Sequence, residues 1–151
     1  MNERTVRWGI LGSAKIAINS VIPGLKRGSL CEVEAVASRS GDKAKTVANQ
    51  FAIPKYYSSY EQLLEDPEIE AIYIPLPNHL HVEWSRKALE AGKHVLCEKP
   101  LALHTEEVHE LIKLRNKTKR KIGEAFMVHT HPQWLQAKSR SEERRVGKEC
   151  V

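Results

Sequence analysis

Short apolar runs alternate with helical stretches along most of this chain, and that alternation narrows the fold more than any other feature. Val6–Leu11, Glu32–Ala37, Pro54–Tyr57, Ala71–Ile74, Val95–Cys97 and Ile122–Val128 read as strands. They are short, carry Val, Ile and Tyr, and are bounded by turn residues. Helical stretches separate them: one opening at Lys15–Ile18, then Asp42–Phe51, a short one after Ser59, His79–Ala91, and one beginning at Thr105. A helix between consecutive strands returns the chain to the same end of the sheet, so the strands run parallel with right-handed crossovers. The expected class is α/β, a doubly wound parallel sheet. Local signals refine the boundaries. Pro23-Gly24 should kink or break the first helix near residues 22–24. Ser59-Tyr60-Glu61-Gln62 fits a capping box, Asp66-Pro67 stops the helix it opens, and Asn78 can cap the helix from His79.

The first strand runs into Gly12-Ser13-Ala14, and the helix opens on Lys15-Ile16-Ala17. The spacing Gly12-x-Ala14-x-x-Ala17 follows the dinucleotide fingerprint G-x-G-x-x-G/A, with alanine at its second position. There the first glycine makes the turn, the second small residue admits a pyrophosphate, and the third lets helix meet strand. Gly12, Ser13, Ala14, Lys15 and Ile16 are therefore candidate phosphate contacts at a helix N-terminus. The second strand ends at Ser38-Arg39-Ser40, with Lys43 one helical turn on, where an NAD site usually carries an acid. A guanidinium, two hydroxyls and an ammonium suit a 2′-phosphate instead, which favours NADP over NAD.

Chemistry, as opposed to binding, is expected after the fifth strand. Val95-Leu96-Cys97 leads into Glu98-Lys99-Pro100, placing two charges and a rigid turn at the carboxyl end of a strand. Ligands bind at that end in open α/β sheets, and a lysine there can exchange a proton. The alternative is a solvated Glu–Lys pair at an ordinary strand exit. Leu76 and Asn78, in the proline-stiffened loop Pro75–Asn78, and His81 just beyond it face the same crevice and are candidate cofactor contacts. His79 is the weaker of the two histidines there.

The 151 residues suit one domain with a sizeable core, and 41% hydrophobic with 28% charged content is that of a globular chain. No apolar run is long enough to cross a bilayer, and no signal segment precedes the first strand. Cys31, Cys97 and Cys150 have no metal spacing and no disulfide pattern, so a reducing cytoplasm is expected. The net charge of +5 comes from scattered bases. The one basic cluster, Lys113 to Lys121, ends a helix, where cations complement the helix dipole. Neither nucleic acid nor a membrane is an expected partner.

Four stretches, Arg7–Ala17, Pro75–His81, Glu98-Lys99-Pro100 and Glu124–Met127, together resemble the Gfo/Idh/MocA oxidoreductases over roughly residues 5–135. The flavour is similar to NADP-dependent dihydrodiol, sugar and xylose dehydrogenases. The resemblance implies a Rossmann domain followed by a larger domain on an open antiparallel sheet. It implies hydride transfer between a nicotinamide and a sugar-like or cyclic alcohol carbon, hence a polyol or sugar substrate for a parent enzyme that is a homo-oligomer. Lys99 falls on the family's catalytic lysine, followed by a cis peptide to Pro100, and Arg39 and Lys43 fall on its 2′-phosphate binders. Glu98 and Lys99, within the same tripeptide, are also candidate cofactor contacts.

Residues 1–128 are thus expected to form the dinucleotide-binding domain, and 129–139 a linker at the start of the second domain. His129 and His131 belong to that linker and are not assigned a catalytic role. The stretch Arg140–Cys150 matches the translation of a common sequencing-library adapter, so 140–151 is expected to be an artefact rather than protein sequence. A chain lacking the second domain is expected to be inactive, because the substrate pocket is absent. A non-catalytic nucleotide-binding or interaction module is the alternative function.

Overall fold

The computed structural model describes residues 4–129 and 131–146. Six strands form one parallel sheet: β1 (Val6–Leu11), β2 (Cys31–Ala37), β3 (Lys55–Tyr57), β4 (Ala71–Ile74), β5 (His94–Glu98) and β6 (Ile122–Ala125). They lie in the order β3-β2-β1-β4-β5-β6, which is the Rossmann arrangement. The chain moves outward to one edge from β1, crosses back to β4, and moves outward to the other edge. All four residues of β4 are buried, as a central strand covered on both faces demands.

The helices α1 (Ile22–Arg27), α2 (Gly41–Phe51), α3 (Tyr60–Glu65), α4 (His81–Glu90) and α5 (Thr105–Thr118) cover the two faces. One face gathers Leu11, Leu63, Ile72, Ile74, Leu89 and Leu111 into a core beneath α3, α4 and α5. The other gathers Ile10, Ile22, Val36, Val47 and Tyr73 beneath α1 and α2. Fully burying each large aliphatic side chain contributes about 1.5–3 kcal/mol. Lys93 supports this arrangement from below the sheet. Its buried ammonium donates to the carbonyls of Asp66 (2.6 Å) and Ile69 (2.8 Å), fixing the entry to β4.

Several boundaries differ from the sequence expectation for identifiable reasons. The first helix does not break at Pro23-Gly24. A π-helical turn, Ala17–Val21, precedes α1, and the Ile22 N–H donates to the Ala17 carbonyl five residues back. Pro23, which has no N–H to offer, falls in the first turn after this change of register, so its missing donor is absorbed there. The capping box at Ser59 is half made. Ser59 Oγ accepts the Gln62 N–H at 3.2 Å, while the Gln62 side chain turns to the Ser58 hydroxyl.

Asn78 does not cap a helix. It opens a single 3-10 turn, Asn78–Leu80, and α4 starts three residues later than Asn78. The last strand ends at Ala125 rather than Val128. Its partner β5 ends at Glu98, paired with Ala125, so the chain beyond has no ladder to join. It turns instead, with the Phe126 N–H donating to the Glu124 carbonyl. The stretch 129–139, expected as a linker at the start of a second domain, is helical from Pro132, where α6 (Pro132–Val146) begins. That helix continues into the adapter-like stretch, whose residues 147–151 lie outside the described residues, as does Thr130.

Candidate functional site

β1 and β4 are neighbours whose connections leave in opposite directions, and a crevice opens at their carboxyl ends, the usual ligand position in such sheets. It holds a cleft of about 530 Å³ lined by Gly12, Ser13, Ala14, Ser38, Arg39, Ser40, Lys43, Tyr60, Pro75, Leu76 and Pro77. Eight of the residues picked out in the sequence thus meet in one place: Gly12, Ser13, Ala14, Ser38, Arg39, Ser40, Lys43 and Leu76.

Gly12 is required on two counts. Its φ of +100° is a conformation that L side chains rarely adopt, and a Cβ there would lie 3.1 Å from Leu76 Cδ2. Its N–H donates to the Ala37 carbonyl at 2.7 Å, tying the turn to the end of β2. Ala17 is fully buried, so the third small position of the fingerprint does bring helix against strand. Lys15 and Ile16 are helical and exposed, just outside the cleft lining.

The far wall comes from the end of β2. The Ser38 N–H donates to the Tyr57 carbonyl, and Ser38 Oγ accepts the Ser40 N–H at 3.4 Å, shaping the turn that presents Arg39. Arg39 and Lys43 are exposed on the rim, and neither Asp nor Glu lines the cleft. Tyr60 is the residue that sequence reasoning missed. It was read as part of a helix cap, and no sequence signal marks it as more. It packs edge-on against Trp84, with ring centroids 4.9 Å apart, and its hydroxyl comes within 3.6 Å of a Cβ built on Gly12. Burial raises its pKa and the neighbouring Arg39 guanidinium opposes that rise.

A second group lies at the carboxyl end of β5. Glu98 closes the strand, Lys99 follows and is exposed, and the Lys99–Pro100 bond is cis. Asn78 and His79 are exposed on the 3-10 turn nearby. His81 is not on the crevice wall. It is fully buried, with Nδ1 2.7 Å from the Pro100 carbonyl and Nε2 2.6 Å from the Leu76 carbonyl. A ring with both nitrogens so placed has no edge to offer a cofactor, which corrects the expectation of direct contact.

One nearby thiol is disarmed. Cys97 is fully buried, and burial pushes its thiol up to about 12, so it is no nucleophile at neutral pH. Among the described residues, no cluster of His, Cys, Asp and Glu could hold a metal ion, and no helix is long and apolar enough to cross a membrane. The cleft fits a dinucleotide instead. A Cβ at Gly12 would disturb the turn, and the rim carries Arg39 and Lys43 with no carboxylate in the cleft lining.

Fold and cleft together define a dinucleotide-binding Rossmann domain. The profile of an oxidoreductase family with an NAD-binding Rossmann fold, Gfo/Idh/MocA, matches residues 6–126, and the chain belongs to that family. It is 57% identical over 129 residues to an uncharacterized oxidoreductase, ORF334, of Rhizobium meliloti, covering 85% of this chain and 39% of that protein. It is 45% identical over 125 residues to a D-xylose 1-dehydrogenase (NADP(+)) of Haloferax volcanii, covering 83% and 38%. KijD10, a 3-ketoreductase from Actinomadura kijaniata solved with NADP and TDP-benzene, superposes with a TM-score of 0.89 at 38% identity, covering 93% of this chain and 43% of that one. The chain thus spans about two-fifths of the length of the relatives it matches.

Proposed function

We propose that this chain is the NADP-binding domain of an oxidoreductase that passes a hydride between the nicotinamide and a sugar-like or cyclic alcohol carbon. The observation that supports the reading is an acid-free cleft rimmed by Arg39 and Lys43 at the carboxyl ends of the strands, the end of the sheet from which the exposed Lys99 follows β5. Ser13, Ala14, Lys15 and Ile16 face the pyrophosphate at the helix start, and Gly12 holds the turn open for it. Ser38, Arg39, Ser40 and Lys43 take the 2′-phosphate, the guanidinium by paired donors and the ammonium as a point charge. Leu76, Asn78 and Glu98 border the path toward the nicotinamide.

The bound nicotinamide supplies or accepts the hydride. Lys99 exchanges the proton of the reacting oxygen, because hydride cannot leave an alcohol carbon as a carbonyl forms unless the hydroxyl proton leaves too. The whole protein is proposed to act on a small polyol or sugar. The name of the Haloferax volcanii relative, a D-xylose 1-dehydrogenase, supports the substrate class.

Titrating the chain with NADPH and NADH, followed by nicotinamide fluorescence, tests the cofactor reading. NADPH is expected to bind at least tenfold more tightly, the worth of one charge-assisted hydrogen bond of about 1.5 kcal/mol. Equal affinities, or none, would overturn it.

A further inference from the structure

The turn that carries Lys99 is tied to three separate elements. Tyr73, on β4, donates from its hydroxyl to Glu98 Oε1 at 2.6 Å. Its side chain is fully buried, so the donor is fixed in place, and burial together with the adjacent carboxylate raises its pKa and keeps it a donor. Glu124, on β6, accepts the Leu101 N–H at 2.8 Å. His81, the first residue of α4, reaches the Pro100 and Leu76 carbonyls with its two nitrogens. A carbonyl only accepts, so each nitrogen donates when its bond is made. Leu76 is in the wall of the cofactor cleft and Pro100 adjoins Lys99, so this one ring joins the two loops that flank the crevice.

We infer that Tyr73, His81 and Glu124 are positioning residues that hold the Glu98–Leu101 turn, and with it the Lys99 amine, against the nicotinamide end of the crevice. The inference rests on the proposed NADP-dependent reading. Lys99 is exposed and has a long flexible stem, so its own contacts leave it many rotamers. What the fold controls is the backbone from which the amine starts. Ties to Glu98 on one side and to Pro100 and Leu101 on the other fix that starting point. None of the three residues lines the cleft around Arg39 and Lys43, so loss of a tie should be felt at one end of the cofactor only.

The test uses the full 151-residue chain and two ligands, NADPH and 2′,5′-ADP, the latter occupying the adenosine end alone. Tyr73→Phe and Glu124→Ala remove polar atoms while leaving the buried ring and the edge strand in place. Each is expected to weaken NADPH about fivefold, the worth of a hydrogen bond near 1 kcal/mol, while 2′,5′-ADP stays within about twofold. Glu124→Gln keeps an oxygen acceptor for Leu101 and is expected to bind NADPH like the unmodified chain. Unchanged NADPH affinity in both deletions would overturn the inference alone. So would parallel loss of both ligands, which would mark the ties as general supports of the fold. Failure of the unmodified chain to bind NADPH would overturn the proposed function first, and this inference with it.

Discussion

At the Gly12 end of the crevice, the ligand would meet backbone in a glycine turn and two cations standing exposed on the rim. At the Lys99 end, Tyr73, His81 and Glu124 spend their polar atoms on neighbouring protein groups, leaving one lysine exposed. The first end is organised to grip, and its side chains can settle onto a phosphate after contact. The second holds a turn still, and under the proposed function that matters because a reacting amine misplaced by about 1 Å can cost a hundredfold in rate. Under the proposed function, binding energy and chemical precision fall to two separate strand ends on the same side of the sheet.

Breaking the gripping end should have the largest consequence. Gly12→Val forces a β-branched residue into a positive φ against Leu76. It should abolish measurable NADPH binding and lower unfolding stability by about 1–3 kcal/mol in a denaturant titration. Arg39→Ala should weaken NADPH on the order of tenfold to a hundredfold, the value of a hydrogen bond from a charged donor, and leave NADH unchanged. An equal loss for both cofactors would show that Arg39 shapes the turn rather than reads the phosphate. Tyr60→Phe is smaller. Removing the hydroxyl beside Arg39 should cost NADPH about fivefold, near 1 kcal/mol, with 2′,5′-ADP affected equally.

The smallest expected effect lies at the opposite end of the sheet and serves as a control for both. His94 Nδ1 accepts the Lys121 N–H at 2.9 Å, which a neutral ring alone can do. Burial, with help from Arg120 and Lys121, lowers its pKa below the ordinary 6.5. The unfolded chain then binds more protons below that value, so this contribution to stability is present above it and fades as pH falls through the window beneath it. Melting temperature should therefore drop as pH falls from about 7 to 5. His94→Gln should flatten that slope while leaving NADPH affinity at neutral pH unaltered.

How much of this could be read beforehand depended on what each residue answers to. The sheet was legible because strand length and helix spacing are local properties, and the alternation of the two calls for parallel strands. Gly12, Arg39 and Lys43 were legible for a similar reason: a turn demands glycine, and the missing acid after β2 is visible in the letters themselves. Tyr60 and His81 were not. Each sits at a helix start, where a residue can point toward the crevice or back under the loop, and packing decides between them. Trp84 holds Tyr60 at the cleft, whereas two carbonyls draw the His81 ring inward. The end of β6 escaped for a related reason, since its length is set by where β5 stops.

The hydrogen bond from Gly12 N–H to the Ala37 carbonyl carries one more consequence. It spans the roots of the pyrophosphate turn and the Ser38–Ser40 turn, so the separation of those two sites is a dimension of the sheet itself. The pocket therefore acts as a ruler laid out before any ligand arrives. A dinucleotide would arrive at a span already cut to length, with little loop ordering left to oppose its binding.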